Sequence, residues 1–185
     1  YLLLAHFLNL QKEGKLNANI QFKTYASAAP KPGNLFFAYE FESKTQNGSF
    51  FNVINALDWI PELSFTVQTI DDLSNNNPLT TIDQKIKDLS FIKKFFIKHY
   101  VNRVVKPTNQ SRDNLNDLFT NQVFKIIKKQ FPEINEPTYV KSMNYVRTGN
   151  HHILIPNKDY LKIYPEDSEN AFQHHMFSAY RLLTK

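Results

Sequence analysis

Two strand-like runs separated by a helix-sized interval constrain this chain more than any other feature. Residues 19–28, NIQFKTYASA, and 49–57, SFFNVINAL, are rich in aromatic and β-branched side chains, the composition of strands. Between them PKPGN (30–34) is a hard turn, because proline fixes φ and Gly33 can take a positive one. LFFAYEFES (35–43) suits a short helix, and an Asn-Gly turn at 47 and 48 leads into the second run. Strand, crossover and strand make a βαβ unit with a parallel sheet. The expected fold class is therefore α/β, a partial parallel sheet with flanking helices.

The remaining segments fit around that unit. YLLLAHFLNLQ at the start reads as a helix apolar on nearly every side, which suits burial. It lacks a capping residue and an acidic first turn, so residues 1–13 read as the remainder of a longer buried helix that begins upstream. Residues 68–81 read as polar loop. Apolar positions at 86, 89, 92, 96, 100 and 104, then at 115, 118, 119, 123, 126, 127 and 131, predict two helices, Ile86 to Val105 and Asn114 to Phe131. Together they form a helical insertion over about 84–131. YVKSMNYVRTGNHHILIP (139–156) reads as a strand pair around Thr148-Gly149-Asn150, and DSENAFQHHMFSAYRLL (167–183) as a helix capped by Asp167 or Ser168.

Composition bounds the chemistry. At 185 residues the chain fits one domain with a real core. Sixteen Phe and nine Tyr exclude disorder as a description of the whole. With no cysteine there is no disulfide framework, thiol nucleophile or zinc-thiolate site. No apolar run reaches the roughly 18 residues of a membrane span. The net charge of +5, from 22 basic and 17 acidic residues, favours anionic surfaces only weakly. The pairs His151-His152 and His174-His175 are adjacent, and adjacent residues diverge in strand and helix alike, so neither pair is a natural chelate. No metal or organic cofactor is expected.

The second run ends in an unusual way. In FNVINALDWIPEL (51–63), Asp58 stands where the apolar strand leaves the core, and Pro61 cannot continue a central ladder. In open α/β sheets that carboxyl edge carries ligands and chemistry. The alternative is an aspartate that caps a turn before the proline. A histidine on the last element, His174 or His175, would complete the Asp-then-His chain order of α/β-hydrolases.

Here the sequence resembles a known family. NALDWIP (55–61) is similar to the Asn-x-x-Asp-x-(Val/Ile)-Pro segment of the class-three, fungal-type lipases, and ASAAPKPGNLFFA (26–38) to the strand and turn ending Pro-(Arg/Lys)-Val-Gly-Asn-x-x-Phe-Ala. Ala28 stands where that family usually has glycine, and Pro32 where it has valine. HHMFSAY (174–180) resembles the terminal His-x-x-x-x-Tyr pattern, which selects His175 with Tyr180, and YLLLAHFL resembles the helix after the nucleophile elbow.

The resemblance implies that residues 1–185 are the carboxyl-terminal part of one α/β-hydrolase domain. Asp58 would be the acid and His175 the base of a Ser-Asp-His triad. No serine of this chain has the Gly-x-Ser-x-Gly setting, so the serine is expected upstream, in an amino-terminal segment of the same protein. This segment alone is then expected to be inactive. The implied activity is a lipase-like carboxylic-ester hydrolase acting on acyl lipids or other esters at a lipid–water interface, with no nucleic-acid partner. Residues 84–131 would be either an extra hairpin on the sheet or a cap over the acyl pocket, with Phe91, Phe95, Phe96, Phe119 and Phe124 as its apolar surface. The alternative is a non-catalytic lipid- or nucleic-acid-binding module on a degenerate hydrolase fold.

Overall fold

The computed structural model describes residues 1–45 and 48–185. The Asn-Gly turn expected at 47 and 48 begins at Asn47, outside the described residues. In chain order the elements are α1 (Leu2–Lys12), β1 (Thr24–Ser27), β2 (Gly33–Asn34), α2 (Leu35–Thr45), β3 (Phe50–Asn55), β4 (Thr66–Val67), α3 (Ile82–Lys85), α4 (Phe91–Asp117), α5 (Phe124–Gln130), β5 (Met143–Val146), β6 (Asn150–Leu154), α6 (Lys158–Ile163) and α7 (Phe177–Leu183). They divide into two compact units, residues 1–65 with 145–185, and residues 66–144.

The first unit is a mixed α/β structure with a small parallel sheet and flanking helices. Strands β1, β3 and β6 pair in that order, both pairs parallel, and α2 is the crossover between β1 and β3. β3 is central and the most buried of the three, which is why its sequence is an almost continuous apolar run. Its first residue, Phe50, is fully buried in a cluster with Leu4 and Phe41. The Phe41 ring meets Phe50 edge-on at 4.9 Å, and Tyr1 lies 4.6 Å away on another side.

Helix α1 forms as expected, but its burial is one-sided. Leu4 is buried, whereas Leu2 and Leu3 are 69% and 66% exposed. One helical face, carrying Leu4 and Leu8, meets the core, and the leucines between fall on other faces.

The expected strand pair around 148–150 is corrected. Both strands exist, but they do not pair with each other: β6 joins β3 in the parallel sheet, while Tyr145 and Val146 of β5 pair antiparallel with β2. The turn between them is an anchor. Fully buried Thr148 donates to the Glu42 carboxylate on α2 at 2.9 Å, and Gly149 N–H donates to the same oxygen. Gly149 has φ +86°, and a Cβ there would stand 2.4 Å from the Phe50 ring. Only glycine gives both the backbone angle and room for Phe50.

In the second unit, Thr66 and Val67 pair antiparallel with Asn144 and Met143. The expected polar loop 68–81 contains a short 3₁₀ turn, Ile70–Asp72. Asp72 accepts from the Thr69 N–H and hydroxyl, and Ser142 donates to its other oxygen. The two helices expected over 86–105 and 114–131 are one continuous helical stretch: α4, a wider π-type turn over Leu118–Val123, and α5. The break expected between them falls inside α4, which carries Pro107 in its interior. Thr108 donates to the Val104 carbonyl at 2.9 Å, beside the proline that lacks a donor. Arg112, buried and ion-paired with Asp71 and Asp113, holds the polar half of the helix in place. Tertiary pairing has overridden a local helix breaker.

Candidate active site

The site is built on the residues that leave β3. Asn55 ends the strand, and its side-chain oxygen accepts Leu57 N–H while its carbonyl accepts Asp58 N–H. These two bonds turn the chain tightly, so Asp58 stands three residues beyond the carboxyl end of the central parallel strand. Its side chain is fully buried.

The carboxylate is committed on both oxygens. Oδ1 accepts Ile60 N–H at 3.0 Å, which is the turn-capping bond expected ahead of Pro61. Oδ2 accepts the Tyr180 hydroxyl at 2.7 Å and faces His175 Nδ1 at 2.9 Å. An acceptor-only carboxylate opposite Nδ1 puts the proton on that nitrogen. In the neutral imidazole Nε2 of His175 then carries the lone pair, and it makes no hydrogen bond among the described residues. The histidine side chain is 35% exposed, so it can meet both the buried acid and an incoming group. Burial and the adjacent Asp58 carboxylate hold the Tyr180 phenol well above the usual tyrosine range, a protonated donor at any physiological pH.

Residues 55–59 clamp the segment that carries the histidines. Asn55 donates to the His174 carbonyl at 3.0 Å, and Trp59 Nε1 donates to the Ala171 carbonyl at 2.7 Å, with the indole against the Phe172 ring. The two neighbouring histidines are thereby sorted. His175 meets Asp58, whereas His174 Nδ1 lies 2.8 Å from the Tyr160 hydroxyl, which also accepts from Asn55. Burial pushes the His174 imidazole below its ordinary range.

The last element differs from expectation. No helix opens at Asp167 or Ser168; residues Gln173–His175 form a 3₁₀ turn, and α7 begins at Phe177. Ser168 and Asn170 side chains accept the N–H groups of Asn170 and Phe172, a local alternative to helical bonding. His175 is therefore presented from a turn, with Tyr180 one helical turn into α7.

No protein-family model, curated protein or solved structure matches this chain. What the site can do chemically thus rests on its geometry.

His151 and His152 lie on β6, paired in register with Asn52 and Val53, and the His152 ring packs 5.3 Å from Phe51. Neither joins the Asp58 cluster. Among the described residues, no group of three or more His, Asp and Glu is arranged to hold a metal ion. Sequence reasoning missed Tyr160 and the clamp by Trp59. It met Asn55 only as a motif letter, and its buried role was signalled by an amide ending an otherwise apolar strand.

Proposed function

We propose that Asp58 and His175 are the acid and base of a serine carboxylic-ester hydrolase of α/β-hydrolase type acting on acyl lipids. The serine would be supplied by residues ahead of Tyr1 in the full-length protein. One observation carries this reading: a buried carboxylate beyond a central parallel strand holds Nδ1 of a half-exposed histidine, leaving Nε2 uncommitted. A turn cap alone would need neither His175 nor Tyr180.

In this reading His175 Nε2 takes the hydroxyl proton of the serine as its oxygen attacks the ester carbonyl. The protonated imidazole then gives that proton to the departing alkoxide, leaving an acyl-serine. Water repeats the cycle and releases the carboxylic acid. Asp58 stays ionised, fixes the productive tautomer and stabilises the imidazolium. Tyr180 and Ile60 N–H hold the carboxylate still while the charge on the ring changes.

The test uses the full-length protein, p-nitrophenyl acyl esters and a fluorophosphonate probe for activated serine. Wild type should hydrolyse the esters and take the label. Asp58→Asn should keep the fold by circular dichroism while turnover drops by about 10⁴-fold, because the amide favours the wrong tautomer. His175→Ala should fall as far, and His174→Gln should stay within about tenfold of wild type. A wild-type protein that neither labels nor turns over would end the proposal and leave a non-catalytic module.

A further inference from the structure

Helix α4 is seated on one side and bare on another. Val101, Val105 and Thr108 face Thr69, Ile70 and Leu73 around an apolar hollow of about 370 Å³. Away from that seat, Phe91, Ile92, Phe95 and Phe96 are 83%, 65%, 60% and 54% exposed. At about 100° per residue they cover a continuous arc of roughly 140°. An apolar stripe of this size on a surface calls for a partner.

The charge on this segment is one-signed. From Phe91 to Arg112 there are six Lys and Arg and no Asp or Glu, a formal +6 against +5 for the whole chain. Lys98 is paired with Asp83 at 2.6 Å, and Arg112 is buried against Asp71 and Asp113. Lys93, Lys94, Arg103 and Lys106 remain, with Lys93 and Lys94 at the two borders of the aromatic arc by helical spacing.

We propose that the first turns of α4 are an interfacial helix that docks on an anionic lipid surface, with the aromatic stripe inserted at the headgroup level and the lysines on lipid phosphates and carboxylates. Apolar rings bordered by lysine are the composition of helices that lie in a membrane interface. A second copy of this chain fits less well, because a two-fold contact would set the same cationic rim against itself. Nucleic acid would use the charge and the aromatic faces but gains nothing from Ile92. This inference does not depend on ester hydrolysis, since no residue of the Asp58 cluster takes part in it.

The experiment is co-sedimentation of the full chain with vesicles of pure phosphatidylcholine, and of phosphatidylcholine mixed equally with phosphatidylserine. Partitioning into the anionic vesicles should be at least about tenfold stronger and should weaken with added salt. Lys93→Glu combined with Lys94→Glu should weaken it by roughly 25-fold or more, from about fivefold per basic residue lost. Phe91→Ser combined with Phe95→Ser should weaken it by at least about tenfold while the far-ultraviolet spectrum is unchanged, because both rings are exposed. Asp58→Asn should bind vesicles like wild type, which separates this proposal from the catalytic one. Equal binding to both vesicles, or unaltered binding by either double variant, overturns it. So does an absence of vesicle binding, whether accompanied by a dimer that Phe95→Asp dissociates or by binding to a single-stranded oligonucleotide.

Discussion

The two oxygens of Asp58 resolve what a single sequence position leaves open. Turn cap and histidine partner are compatible, because Oδ1 serves Ile60 and Oδ2 serves His175 and Tyr180. A second residue at the same sheet edge, Ala28, is held at φ +57° immediately after β1, its N–H bonded to the Val53 carbonyl at 3.2 Å. Glycine would hold that angle without the steric cost of a Cβ. An L-residue in the left-handed region costs about 1–2 kcal/mol, while glycine gives back roughly 0.4–1 kcal/mol through the freer unfolded chain. Ala28→Gly should therefore stabilise the protein by about 0.5–1 kcal/mol, measured as a rise in the urea midpoint at constant slope.

Elements formed where pattern and partners agreed. The crossover α2 and strands β1 and β3 follow from their composition, and each is bonded as a parallel βαβ unit requires. Helix α4 formed against a local signal, and that conflict can be measured. Pro107 has no N–H for the Arg103 carbonyl, and an interior proline costs about 3 kcal/mol relative to alanine. Pro107→Ala should stabilise the second unit by about 1–3 kcal/mol, seen as a higher midpoint in helix-monitored denaturation.

At the scale of the molecule, two partly desolvated histidines tie stability to pH. Burial, reinforced by Arg147 at His151, lowers both His174 and His151 from the ordinary 6.5. The unfolded chain then takes up protons before the folded one as pH falls. Their contribution is full above about 6.5 and is lost progressively below it. Urea midpoints followed by Trp59, the sole tryptophan, should fall between about pH 7.5 and pH 5, and His174→Gln should flatten that fall.

The sequence by itself determined the βαβ unit, because a central parallel strand must be apolar on both faces and its exit is then conspicuous. It also singled out Asp58, because a polar residue at the end of such a strand is a local pattern, whereas His175 and Tyr180 were implied only by the resemblance of residues 174–180 to a family segment. Whether β5 would pair with β6, whether Pro107 would end a helix, and which histidine would reach Asp58 were settled by tertiary structure. Each turns on partners distant in the chain: β3 accepted β6, Asp71 held Arg112, and Asn55 with Trp59 locked the turn before His175. Contacts of that kind have no period in the sequence, since their energy arises only when the two segments meet.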